Sequence, residues 1–131
     1  MEWAAYLAAT RKPPEQNESE LFLLGWAPSS AEARWILYPL FTTEQWVPGG
    51  NNRTFFSNKE FDEMVTKFTK ATTKAEMDKN LKGAQELLSQ GAPIIPILVT
   101  KETIGYSNRL KGVINSPLEL TYFDHKTYLE K

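Results

Sequence analysis

The side chains that most often carry chemistry are sparse here. The sequence has one histidine, His125, and no cysteine. A catalytic or metal-bound histidine needs partners that converge on it. Its neighbour Asp124 would point to the opposite face of a strand, so His125 reads as a surface or part-packed residue. Without cysteine there can be no disulfide, thiolate metal site or cysteine nucleophile. Neighbouring carboxylates occur at Asp62-Glu63 and at Glu18 and Glu20, as on any soluble surface. Glu60 and Glu63 are explained by the positive end of a helix, and nothing pushes carboxyl pKa values apart for acid–base work. Gly49-Gly50-Asn51-Asn52 lacks the Lys-Ser/Thr of a phosphate loop and the spacing of a dinucleotide fingerprint, and reads as a turn. No enzyme activity, metal or cofactor is expected.

Trp26 is placed differently. It follows Gly25 at the end of an apolar run and precedes the turn Ala27-Pro28-Ser29-Ser30. In α/β sheets the ligand crevice lies at the carboxyl ends of strands. A tryptophan there offers a flat apolar wall and one donor, although core packing is equally open to it.

The elements that would position these residues follow from periodicity. Trp3, Tyr6, Leu7 and Ala8 predict a short amphipathic helix over 3–10, stopped by Pro13-Pro14. Residues 15–20 are a polar loop. Leu21 to Trp26 is a continuous apolar run of strand length, which predicts a buried strand covered on both faces. Ser30 is placed to cap a helix over 31–37, limited by Pro39. Ser57-Asn58-Lys59-Glu60 and Thr73-Lys74-Ala75-Glu76 are capping boxes, and Phe56 with Phe61 forms a hydrophobic staple. Phe61, Met64, Val65 and Phe68 line one helix. Met77, Leu81, Ala84 and Leu88 line the next, which Gly91 stops. Together these predict a helical hairpin with both methionines in the core. Pro93 to Val99 predicts a strand near an edge, Thr103 to Tyr106 continues extended, 110–114 is a short strand, and 118–129 alternates weakly.

The totals bound the rest. The chain has 131 residues, 41% hydrophobic and 24% charged, which is one ordinary globular domain's worth. A net charge of −1 provides no basic field for nucleic acid or for an anionic membrane. The first residues lack the basic and apolar regions of a signal peptide, so an export signal, if one exists, is expected upstream.

Taken in order, several short stretches resemble a known family. They are Glu2-Trp3-Ala4-Ala5-Tyr6-Leu7, Leu21-Phe22-Leu23-Leu24-Gly25-Trp26 and Leu37-Tyr38-Pro39-Leu40-Phe41, then Asn51-Asn52-Arg53 with Phe56-Ser57-Asn58-Lys59-Glu60-Phe61-Asp62. Ala84-Gln85-Glu86-Leu87-Leu88, Ala92-Pro93-Ile94-Ile95-Pro96, Lys111-Gly112-Val113 and Pro117 complete the series. The combination resembles the C-terminal quarter or so of family 5 extracytoplasmic solute-binding proteins, which bind dipeptides, oligopeptides or glutathione for ABC importers.

The resemblance implies an α/β fold. It would be a fragment of a two-lobed periplasmic-binding-protein-like architecture of the dipeptide-binding type. A mixed sheet would be flanked by helices, including the capped hairpin. Residues 1–100 would belong to the second lobe, and 101–131 would return as extended segments toward the first. The implied ligand face is Trp26, Ala27, Ser29 and Glu32. Ser29 stands where peptide binders carry an aspartate for the ligand's ammonium, and Glu32 is the nearest acid that can replace it. The implied partners are a peptide-like ligand and an ABC permease, with the whole protein periplasmic or lipid-anchored at the cell surface. A fragment of this kind would expose sheet edges, so a homodimer of the chain is the alternative expectation.

Overall fold

The structure is a computed structural model that describes residues 1–101, 103–115 and 121–131. Helix α1 covers Trp3–Thr10 and α2 covers Arg34–Phe41. Helices α3, Lys59–Lys70, and α4, Lys74–Gly91, follow as an antiparallel pair. Four two-residue strands close the chain: β1 Leu110–Lys111, β2 Ile114–Asn115, β3 Thr121–Tyr122 and β4 Tyr128–Leu129. They form two antiparallel ribbons, β1 with β4 and β2 with β3, in the registers Leu110↔Leu129 and Ile114↔Tyr122. No mixed sheet is present among the described residues, which corrects that part of the expected architecture.

The core sits where α2, α3 and α4 meet. Leu37, Phe41, Phe61, Val65 and Ala84 are buried together, with Leu40, Phe56, Met64, Leu81 and Leu88 packed around them. The hairpin forms as expected because its signals are local. Thr73 caps α4: its hydroxyl oxygen accepts from the Glu76 N–H at 3.3 Å. Its hydroxyl also donates to the Glu76 carboxylate at 3.0 Å. The first cap is corrected by one residue. Asn58, not Ser57, accepts from the Phe61 N–H at 3.0 Å, and Ser57 instead meets the Thr43 hydroxyl at 3.0 Å. The Phe56–Phe61 pair still forms, edge to face at 5.4 Å.

Two details of α4 depart from the sequence reading. Met77 is 40% exposed, so it lies outside the core, while Met64 packs against it. Gly91 is the last helical residue, and the left-handed position falls on Ala92, with φ 44°. The glycine is needed for space: a Cβ at residue 91 would stand 2.4 Å from the Phe56 ring.

The two long apolar runs are not strands. Residues 21–26 and 93–99 have no ladder bonds among the described residues, and they lie mostly open. Leu21 is 87% exposed and Val99 97%. A strand exists only with a partner to take its backbone groups, and no segment among the described residues supplies one. The helix expected over 31–37 also shifts. It starts at Arg34 without a side-chain cap from Ser30 and runs through Pro39 to Phe41.

Candidate ligand-binding face

The segment from Leu21 to Glu32 is held by three side-chain contacts. The Tyr6 hydroxyl on α1 donates to the Leu23 carbonyl at 2.6 Å. The Trp26 indole N–H donates to the Trp35 carbonyl on α2 at 3.1 Å. The second contact has a cause inside the helix. Pro39 has no N–H, so the carbonyl four residues back, that of Trp35, loses its usual helical partner. The Trp26 indole fills the vacancy. The third contact pairs the Glu32 carboxylate with Arg34 Nε at 2.7 Å, on the exposed surface. Arg34 in turn lies over the Trp35 ring, 5.3 Å from its centroid.

Trp26 is therefore neither core nor free. It is 40% exposed, and its indole N–H is tied to α2. Ala27, Ser29 and Glu32 are exposed too, and the four fall within seven residues of the sequence. From Leu21 to Ser29, the Leu23 carbonyl is the only backbone group with a hydrogen-bond partner among the described residues. Such a run can pair with an extended peptide by strand addition, with backbone bonds giving affinity and side chains giving choice. Glu32 is already neutralised by Arg34, so a ligand ammonium would have to share it.

One concavity, of about 610 Å³, lies elsewhere. It is an open groove along the start of α3, lined among others by Thr43, Glu44, Lys59 and Asp62. The Asp62 carboxylate there accepts from the Thr43 N–H at 3.1 Å, so it holds the fold together. His125 is exposed in the turn before β4, and no cluster of metal ligands occurs among the described residues.

A second set of polar residues escaped the sequence reading. Asn52 is fully buried. Its side chain donates to the Thr42 and Phe56 carbonyls at 3.1 and 3.0 Å and accepts from the Thr54 hydroxyl at 2.9 Å. The turn 48–51 is gripped by Arg11, which donates to Asn51 Oδ1 at 3.2 Å and to the Pro48 and Gly50 carbonyls at 3.1 Å. Arg53 is buried next to them. Burial pushes its guanidinium below the usual arginine range, Arg11 pushes it further, and Tyr6 opposes them. The signal in the sequence was an arginine directly after a Gly-Gly-Asn-Asn turn, which composition alone does not separate from a surface arginine.

The chain is similar in sequence to proteins named glutathione-binding protein GsiB. The one from Escherichia coli strain K12 is 36% identical over 111 residues, which is 83% of this chain and 22% of the relative. GsiB from Shigella flexneri and from Shigella dysenteriae serotype 1 match with the same identity and coverage. The chain thus spans about a fifth of the length of the curated relatives it matches. No protein-family model matches it. By name these relatives are binding proteins, in keeping with the scarcity of catalytic arrangements in the sequence.

Proposed function

We propose that the chain is the part of a solute-binding subunit that presents one wall of its ligand cleft, serving an ABC importer for peptide-like solutes. The observation that carries this is the 36% identity to a glutathione-binding protein across 83% of the chain. The open backbone beside Trp26 supports it, because an extended ligand needs unpaired donors and acceptors. On this reading the Trp26 face packs on the ligand, and the backbone of Trp26 and Ala27 holds its main chain. Ser29 hydrogen-bonds it, and Glu32 attracts its ammonium group. Residues 1–100 belong to the second of two lobes, and 101–131 lead toward the first. The whole protein lies outside the cytoplasmic membrane, in the periplasm or lipid-anchored, and hands its ligand to a permease. Its ligand class is peptide-like, with a glutathione-like tripeptide favoured over a nickel chelate or a sugar oligomer.

Affinity in such proteins comes from enclosing the ligand between lobes. The 131-residue chain alone is therefore expected to bind glutathione weakly or not at all, and millimolar or tighter binding would contradict this. Fractionation of the source cells, blotted with antibody to this chain, tests the placement. A band in the envelope or periplasmic fraction, several-fold heavier than 14.9 kDa, is expected. A band of the chain's own mass in the cytoplasm would exclude the import role.

That second outcome would favour another reading, a stand-alone module that self-associates. It rests on the exposed apolar runs 21–26 and 93–99.

A further inference from the structure

Glu32 and Arg34 form an ion pair that helix geometry does not supply, because residues two apart do not face each other on a helix. The pair closes across the entry to α2, where the Glu32 carbonyl accepts from the Trp35 N–H at 3.1 Å. The Glu32 carboxylate meets Arg34 at Nε, 2.7 Å away. The Arg34 guanidinium also lies over the Trp35 ring, 5.3 Å from its centroid. The Trp35 carbonyl in turn accepts from the Trp26 indole N–H. These contacts join Glu32, Arg34, Trp35 and Trp26 into one cluster. All four residues are exposed, so a solute reaches them without opening the fold.

An exposed ion pair is ordinarily worth about 0–1 kcal/mol and says nothing of a ligand. This one is held but only partly used. Glu32 occupies Nε, and among the described residues neither Nη of Arg34 donates a hydrogen bond. The stack on Trp35 adds a second restraint on the guanidinium, which lowers the cost of ordering it when a ligand arrives. Opposite charges side by side discriminate between ligands. A lone ammonium at Glu32 is repelled by Arg34, and a lone carboxylate at Arg34 is repelled by Glu32. A head group that carries both charges on one carbon satisfies both residues, with its carboxylate on the open Nη edge.

We infer that Arg34 is a specificity-determining residue, taking the carboxylate of a solute whose ammonium, held by Glu32, sits on the same carbon. The inference rests on the proposed solute-binding role and names its substrate class, a tripeptide with a free amino-acid head. A γ-linked glutamyl peptide such as glutathione has that head. An ordinary α-linked peptide does not, because the carboxyl group beside its ammonium is spent in the amide.

The test is calorimetric titration of the whole native protein and its variants. The probes are glutathione, γ-aminobutanoyl-Cys-Gly, which lacks the head carboxylate, and glutaryl-Cys-Gly, which lacks the ammonium. Arg34→Gln should weaken glutathione about tenfold or more and leave γ-aminobutanoyl-Cys-Gly unchanged or tighter. Glu32→Gln should show the reverse pattern, sparing glutaryl-Cys-Gly. Arg34→Lys keeps the charge and should recover part of the loss. Glutathione binding that Arg34→Gln leaves intact, or weakens equally with γ-aminobutanoyl-Cys-Gly, overturns the inference and leaves the solute-binding role standing. An unaltered protein that binds none of the probes overturns both.

Discussion

At Pro39 one missing hydrogen decides where a tryptophan sits. The Trp35 carbonyl is free because residue 39 cannot donate, and the Trp26 indole takes it. Pro39→Ala restores the helix's own donor, so the indole must compete for the carbonyl. A hydrogen bond of this kind is worth about 1 kcal/mol net. The indole N–H of Trp26 is therefore expected to exchange several-fold faster in Pro39→Ala, while α2 becomes more stable. Hydrogen exchange read by NMR checks this, and unchanged exchange would mean that proline does not position the ring. Asn52 makes a second prediction. Asn52→Ala leaves the Thr42 and Phe56 carbonyls without their side-chain donor in a dry site. It should cost roughly 2–3 kcal/mol in urea unfolding. A loss below about 0.5 kcal/mol, the size of an ordinary surface change, would contradict the buried network. Neither role was legible in the sequence. The partners of Trp26 and Asn52 are backbone carbonyls, which every residue type has. Asn52 therefore read as part of a turn, and Arg53 drew no comment beyond its place in the family pattern.

At the scale of elements, the α3–α4 hairpin carries the fold. Phe61 is completely buried between its helices, and Phe61→Ala is expected to cost about 3–5 kcal/mol. Urea denaturation measures it, and a loss under about 1 kcal/mol would place the core elsewhere. Ala92 holds a left-handed conformation that costs an alanine about 1–2 kcal/mol and a glycine little. Ala92→Gly should therefore raise stability slightly. Gly91→Ala should lower it by driving a Cβ into the Phe56 ring. The opposite signs at adjacent positions separate the packing role from the capping role. The hairpin was readable because its period and caps lie within a few residues of each other. The shift from Ser57 to Asn58 shows the limit: two adjacent cap-competent residues cannot be ranked by type. Residues 21–26 and 93–99 misled for a different reason. Their composition favours strands, but a strand needs a neighbour's backbone, and none pairs with them among the described residues.

At the scale of the molecule, those two runs leave Leu21, Leu23, Ile95, Ile97, Leu98 and Val99 open to water. Soluble monomers rarely keep such contiguous apolar surface uncovered. The isolated chain should therefore associate with rising concentration, which sedimentation velocity can follow. Replacing Ile95 and Ile97 with threonine should reduce the association without unfolding the α3–α4 core. A strictly monomeric chain at every concentration would show that these runs are covered in a way the structure does not contain. The relatives are about five times longer than the matched segment, so on the proposed reading the cover is the remainder of a two-lobed protein.

The measurement to make first is glutathione binding by the native protein, captured from its source cells with antibody to residues 1–131. Calorimetric titration should show saturable binding in the micromolar range or tighter, abolished when Trp26 is replaced by alanine. A native protein that binds neither glutathione nor any di- or tripeptide would contradict the solute-binding role.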